Sequence, residues 1–262
     1  MRMRICRWLR RRIWLCIDSR IIHPISNNRI CRIRPVLIKE EKGAECAPFY
    51  CIQMGFVIRF YYEENIMLTY NDIIKEDDQK LRERSIDVAI PLTEADLKLL
   101  KDMNEYLING YDKEKADALG IRPGVGLSAV QLGILKKIIV ILAFDEKGRK
   151  FHYGIINPKI ISQSEETVYL SSGEGCLSVD REVAGLVHRS RRIKVRGYLY
   201  DFQSKSLNQT VSNLQDYLAI VFQHEYDHLN GILFIDRIDK FNPFFIPENS
   251  NPIVFEEEES EE

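Results

Sequence analysis

The chain has 262 residues, 45% of them hydrophobic, and a formal net charge of only −2. That length allows one good-sized domain or two small ones with a real core. The near-neutral charge by itself predicts no special partner. No apolar run approaches the ~18 residues that a membrane-spanning helix needs.

The average hides a break in composition near Met67. Residues 1–66 carry 13 Lys/Arg against 6 Asp/Glu, whereas residues 67–262 carry 24 against 33. Cys6, Cys16, Cys31, Cys46 and Cys51 and both tryptophans, Trp8 and Trp14, lie before the break; Cys176 alone lies after it. The early cysteines show no paired spacing, so a disulfide framework is not expected and a reducing, cytoplasmic setting is. Pro24, Pro35 and Pro48 interrupt the apolar pattern, and no helical or strand period is sustained. Three readings of residues 1–66 compete: an Arg-rich targeting segment, a basic arm for nucleic acid, and an over-extended start before Met67. The composition break favours the third, with the segment otherwise expected to be disordered.

Regular elements begin at Thr93. Thr93-Glu94-Ala95-Asp96 is a capping pattern, and Leu97, Leu99, Leu100, Met103 and Leu107 give the helix it opens an apolar face. Residues 109–123 read as a loop or short helical insertion. Ile138 to Ala143 is a β-branched run expected to form a buried strand, followed by a turn at Asp145–Gly148. Tyr153–Ile156, Thr167–Leu170 and Ile193–Tyr200 are further strand candidates. Ser212-Asn213-Leu214-Gln215 reads as a second capping box, opening a helix to Asn230 with Gly231 as its terminating glycine. Glu256–Glu262 is an acidic run expected to be disordered. Strands clustered between two helices predict an α+β domain over residues 67–255.

The strongest chemical signal is His224-Glu225-Tyr226-Asp227-His228. Helical residues turn by about 100° each, so residues four apart differ by only about 40° and two imidazoles can grip one ion. Glu225 is then close enough to act as general base on a water there. Tyr217, Val221, His224 and His228 fall on one stripe of that helix. The competing explanation is a chance match, weakened by the capped, amphipathic context.

A third ligand is needed for a catalytic site of the zinc type. The residue where one protease class places a histidine is Phe234, which cannot coordinate, and Glu248, where another class would want a helical glutamate, sits beside Pro247. Cys176 remains, in Gly173-Glu174-Gly175-Cys176-Leu177-Ser178. A lone cysteine is most often a small buried hydrophobe; flanking glycines that let backbone approach a ligand argue for more.

Three segments together, Gly124-Val125-Gly126-Leu127-Ser128-Ala129-Val130-Gln131, Glu174-Gly175-Cys176-Leu177-Ser178 and Gln223-His224-Glu225-Tyr226-Asp227-His228, resemble the peptide deformylase family in content, order and spacing. The resemblance covers about Met67 to Phe255 and none of residues 1–66. The insertion before Pro123 and the Pro-containing tail resemble the Gram-positive-type branch. The resemblance implies a bacterial, cytoplasmic enzyme with antiparallel β-sheets packed around a central motif helix. Its activity would be removal of the formyl group from the formyl-methionine of nascent polypeptides. It further implies that Cys176, His224 and His228 bind one divalent metal, ferrous iron foremost, with nickel, cobalt or zinc able to occupy the site and a water as fourth ligand. Glu225 would then exchange protons with that water and the leaving amine. Gln131 and the Leu177 N–H would stabilise the oxyanion, and Gly126 and Leu127 would line the edge where substrate backbone docks. Tyr217, Ile220 and Val221 would form the methionine pocket, and Arg189 would pair with Glu174 behind the metal. The chain departs from the pattern at Ser128, commonly Ala, and Val130, often Pro, and neither receives a chemical part. The ribosome near the exit tunnel enters as a partner only because the substrate emerges there. No membrane or specific nucleic acid is expected.

Three other classes compete. A general metalloprotease would share the two histidines; a dead binding module would be free to lose Glu225 and Gln131, which are present; a nucleic-acid role would rest on residues 1–66 alone.

Overall fold

The computed structural model describes residues 67–255, together with three strands among residues 1–66. Close Cα neighbours divide the chain into two units, 1–66 and 67–262. In the first, β1 (Arg34–Ile38), β2 (Ile52–Gln53) and β3 (Phe56–Tyr61) pair antiparallel in the order β1-β3-β2. The sequence showed no sustained strand period there. The targeting and over-extended-start readings, and the acidic run Glu256–Glu262, fall outside the described residues.

In the second unit, after two short 3-10 turns at Tyr70–Asp72 and Gln79–Arg82, comes α1 (Glu94–Gly110), whose start is a capping box. Asp96 N–H donates to Thr93 Oγ1 at 3.2 Å, and Thr93 N–H donates to Asp96 Oδ2 at 3.0 Å. Two of the free N–H groups of the first turn are thereby satisfied. The insertion holds α2 (Lys113–Leu119), capped by Asp112 and ended by Gly120 at φ 63°.

A five-stranded antiparallel sheet in the order β10-β9-β6-β5-β4 forms the body. It comprises β4 (Gly126–Ser128), β5 (Ile138–Phe144), β6 (Lys150–Gln163), β9 (Arg192–Asp201) and β10 (Ser206–Gln215). Alternate residues of a strand face opposite sides, and β5 is covered on both. Ile138, Val140 and Leu142 pack with Leu100, Met103 and Leu107 of α1. Ile139, Ile141 and Ala143 pack with Ala219, Val221 and Phe222 of α3 (Asp216–His228). Burial on both faces is why this stretch is an unbroken apolar run rather than an alternating one.

A small sheet, β11-β7-β8, joins β7 (Thr167–Tyr169), β8 (Arg189–Ser190) and β11 (Ser250–Pro252). β11 runs parallel to β7, while the other paired strands of residues 67–255 are antiparallel. A correction concerns Ser212–Gln215, read as a helix cap. These residues end β10, paired residue for residue with β9, Ser212 opposite Val195 and Gln215 opposite Arg192. Pairing overrides the local cap pattern because ladder hydrogen bonds satisfy the same N–H groups. The chain turns into α3 at Asp216, which has φ 53° and is held by Arg191 Nε at 2.8 Å. Helix α3 ends at His228, and Gly231 follows with φ 75°.

Candidate metal centre and active site

Three elements converge on the motif helix. α3 carries His224, Glu225 and His228; the loop between β7 and β8 brings Glu174, Cys176 and Leu177; β4 and the short 3-10 turn after it, Ala129–Leu132, bring Gly126 and Gln131. The ligand atoms of Cys176, His224 and His228 lie within 4.8 Å of one another, and Cys176 Sγ is 3.2 Å from His228 Nε2. Two ligands of a tetrahedral ion with bonds of ~2.0–2.3 Å stand roughly 3.5 Å apart, so the spacing suits one ion. A thiolate with two imidazoles is a donor set for zinc or ferrous iron. His228 Nδ1 is buried without a hydrogen-bond partner among the described residues.

The second imidazole is oriented from behind. His224 Nδ1 and Glu174 Oε2 are 2.8 Å apart, which leaves Nε2 for the ion. Arg189 grips Glu174 in bidentate fashion, Nε to Oε1 at 2.5 Å and Nη2 to Oε2 at 2.9 Å. Its Nη1 donates to Asp227 Oδ2 at 2.8 Å. Arg237 closes the chain with two bonds to Asp227, at 2.9 and 2.5 Å. The Arg189 side chain is only 2% exposed, so it is a buried charge and not a solvated one. Burial would raise the Glu174 carboxyl, but the Arg189 charge and the bonds from His224 and Arg189 outweigh it and hold it near about 2. Burial pushes His224 down, yet hydrogen bonds to Cys176 and Glu174 prevail and draw a proton onto the ring. Burial keeps His228 neutral, with the charge on His224 acting in the same direction.

Glu225 is buried, and desolvation raises its pKa. Its Oε1 lies against Gly126: a Cβ there would sit 2.6 Å away. Gln131 is equally buried. Its Oε1 accepts from Ser128 N–H at 2.8 Å, which fixes the amide so that Nε2 points to Ser178 Oγ at 3.3 Å and towards Cys176 Sγ at 3.8 Å.

These groups open on a pocket of about 260 Å³. Gly126, Gln131, Glu174, Cys176, Leu177, Tyr217, Ile220, Val221, His224 and Glu225 all line it. Arg189 and His228 sit behind its wall. Leu127 is on the edge strand β4, but its side chain turns into the core beside α1 and β5. The rejected third-ligand candidates are accounted for: the Phe234 ring stacks on His224, centroids 5.9 Å apart, and Glu248 is exposed.

Sequence reasoning missed several contributors, Arg237 among them. Leu170 and Arg122 line the pocket from outside the motifs. Asp227 was only a variable letter in the motif, though an acid between two histidines beside Arg189 and Arg237 was a signal. Ser128, given no part, donates its hydroxyl to Glu225 Oε2 at 2.5 Å.

A buried Cys-His-His cluster with an adjoining carboxylate and a fixed amide, at the floor of a pocket, defines the class of hydrolases built around a His-Glu-x-x-His helix. Residues 70–244 match the polypeptide deformylase family. Peptide deformylase 2 of Bacillus anthracis is 48% identical over 187 residues, 71% of this chain and 99% of that protein. The peptide deformylase of Oceanobacillus iheyensis is 49% identical over 71% of this chain and all of that protein, 100%. Among solved structures, the class I type b peptide deformylase from Acinetobacter baumannii with Met-Ala-Ser bound superposes with a TM-score of 0.53 at 26% identity, covering 66% of this chain and 99% of that one. The Ehrlichia chaffeensis peptide deformylase in complex with actinonin gives 0.50 at 32% identity, over 68% and 91%. The chain belongs to the peptide deformylase family, in its Gram-positive-type branch, and is an enzyme that deformylates nascent peptides. Among the described residues no helix is long and apolar enough to cross a membrane.

Proposed function

We propose that deformylation here is metal-dependent, with Cys176, His224 and His228 holding one divalent ion, ferrous iron in the cell, and Glu225 as the general base. The observation that carries this reading is the convergence of three buried ligand atoms within 4.8 Å beside a buried carboxylate on the pocket floor. A bound divalent cation supplies acidity, making water a usable nucleophile at neutral pH. The raised pKa of Glu225 suits it to accept a proton from that water and return it to the leaving amine. The Gln131 Nε2–H and the Leu177 N–H stabilise the charge that develops on the formyl oxygen, each donor being worth roughly 3 kcal/mol in such sites. Gly126 and Leu127 offer the main chain of β4 to an extended peptide, and Tyr217, Ile220 and Val221 receive the methionine side chain. Glu174, held by Arg189, keeps His224 in its coordinating tautomer. The ribosome, where the substrate emerges, is the expected place of action.

The test is formate release from a formyl-Met tripeptide by anaerobically purified full-length protein. Cys176→Ala should lose both bound metal and activity, and Glu225→Gln should keep metal but lose activity. Full activity in Cys176→Ala would remove the thiolate from the ligand set, and an aerobic preparation as active as the anaerobic one would remove iron.

A further inference from the structure

We infer that Ser128, through its hydroxyl, is a positioning residue for Glu225. The inference rests on the reading of Glu225 as general base. Ser128 is 0% exposed, at the end of β4 and directly under the motif helix. Its Oγ lies 2.5 Å from Glu225 Oε2 and 3.0 Å from the Glu225 carbonyl oxygen. A hydroxyl has one proton to give, and the shorter contact takes it.

The consequence is an asymmetric carboxylate. Oε2 is tied down by Ser128, and Oε1 is left on the pocket side, against Gly126. Without the tie, rotation about the last side-chain bond, a broad torsion, is opposed only by packing. The same residue holds the second reactive group by a different atom: its backbone N–H donates to Gln131 Oε1. Ser128 thus sets the separation between the group that takes a proton and the group that meets the formyl oxygen. The two links are separable, because removing the hydroxyl leaves the N–H in place. Alanine at this position should therefore loosen Glu225 and leave Gln131 untouched.

The experiment compares full-length wild type, Ser128→Ala, Ser128→Thr and Glu225→Gln, each loaded with metal and assayed on a formyl-Met tripeptide. Ser128→Ala should lower kcat about tenfold, within the range expected for a catalytic group displaced by less than ~1 Å, with KM and metal content unchanged. Ser128→Thr, which restores the hydroxyl, should recover most of kcat. A crystal structure of Ser128→Ala without added metal should show the Glu225 carboxylate turned from the orientation described here, a readout independent of turnover. Wild-type kcat in Ser128→Ala, kcat and KM failing together, or a loss that Ser128→Thr does not restore would overturn the inference. Substantial activity in Glu225→Gln would instead refute the general-base reading, so the two failures are told apart.

Discussion

Gly126→Ala is the sharpest single probe of this site. The backbone at Gly126 is ordinary strand, so alanine costs nothing in conformation. The cost is steric, because the new Cβ would stand 2.6 Å from Glu225 Oε1, 2.8 Å from its Cγ and 2.9 Å from its Cδ. Comfortable heavy-atom contacts lie near ~3.5 Å, so Glu225 must retreat by roughly 0.5–1 Å. It has little room to do so, with Ser128 behind its other oxygen and its helix packed in the core. Overpacking of this kind costs about 1–3 kcal/mol of stability. A shift of ~1 Å in the proposed general base costs about a hundredfold in rate. Formate release, read beside a thermal melt, should therefore show a kcat loss of that order with a modest fall in Tm. Gly124→Ala is the internal comparison: its Cβ would meet only the flexible end of Leu177, at 3.0 Å, and should cost far less. Wild-type turnover in a folded Gly126→Ala protein would refute the placement of Glu225 against β4.

Three further outcomes are expected. Arg189→Met takes the guanidinium from buried Glu174 and leaves Asp227 to Arg237 alone, and should destabilise the fold by about 3–5 kcal/mol, measured by urea denaturation. Glu174→Gln should weaken metal retention about 10–100-fold, measured by competition with a chelator, because the group orienting His224 loses its charge. The acid limb of stability should carry Glu174. Its folded pKa of about 2 lies below the model-peptide value of 4.5, so its contribution is fully present above about pH 4.5 and is lost as pH falls towards about 2. Melts over that range should be flatter for Glu174→Gln than for wild type, and equal slopes would contradict the assignment.

Some of this was legible in the sequence and some was not, for physical reasons. Thr93–Asp96 announced α1 because cap chemistry is local, and Ile138–Ala143 announced β5 because a doubly covered strand must be apolar throughout. The same local cap pattern misled at Ser212–Gln215, where the deciding partner, β9, lies a hairpin away. Elimination and resemblance pointed to Cys176 as the proposed third ligand, since each motif is short and self-contained. Contacts between motifs carried no such mark. Nothing in one line of letters joins Ser128 to Glu225, 97 positions apart, or Arg237 to Asp227 across the end of α3.

The linked charges behind the site also constrain how this protein can change over generations. His224 and Asp227 on α3, Glu174 in the loop after β7, Arg189 on β8 and Arg237 beyond α3 are linked in turn, and each buried charge among them is tolerated only because a neighbour answers it. Altering one link leaves an unanswered charge in the interior, and repairing it requires a second change elsewhere that has no value beforehand. Drift through this part of the molecule must cross a valley. Under selection by an inhibitor of the pocket, variation should accumulate at lining residues without a proposed part in the reaction, Arg122 and Leu170, while the linked charges behind His224 stay as they are.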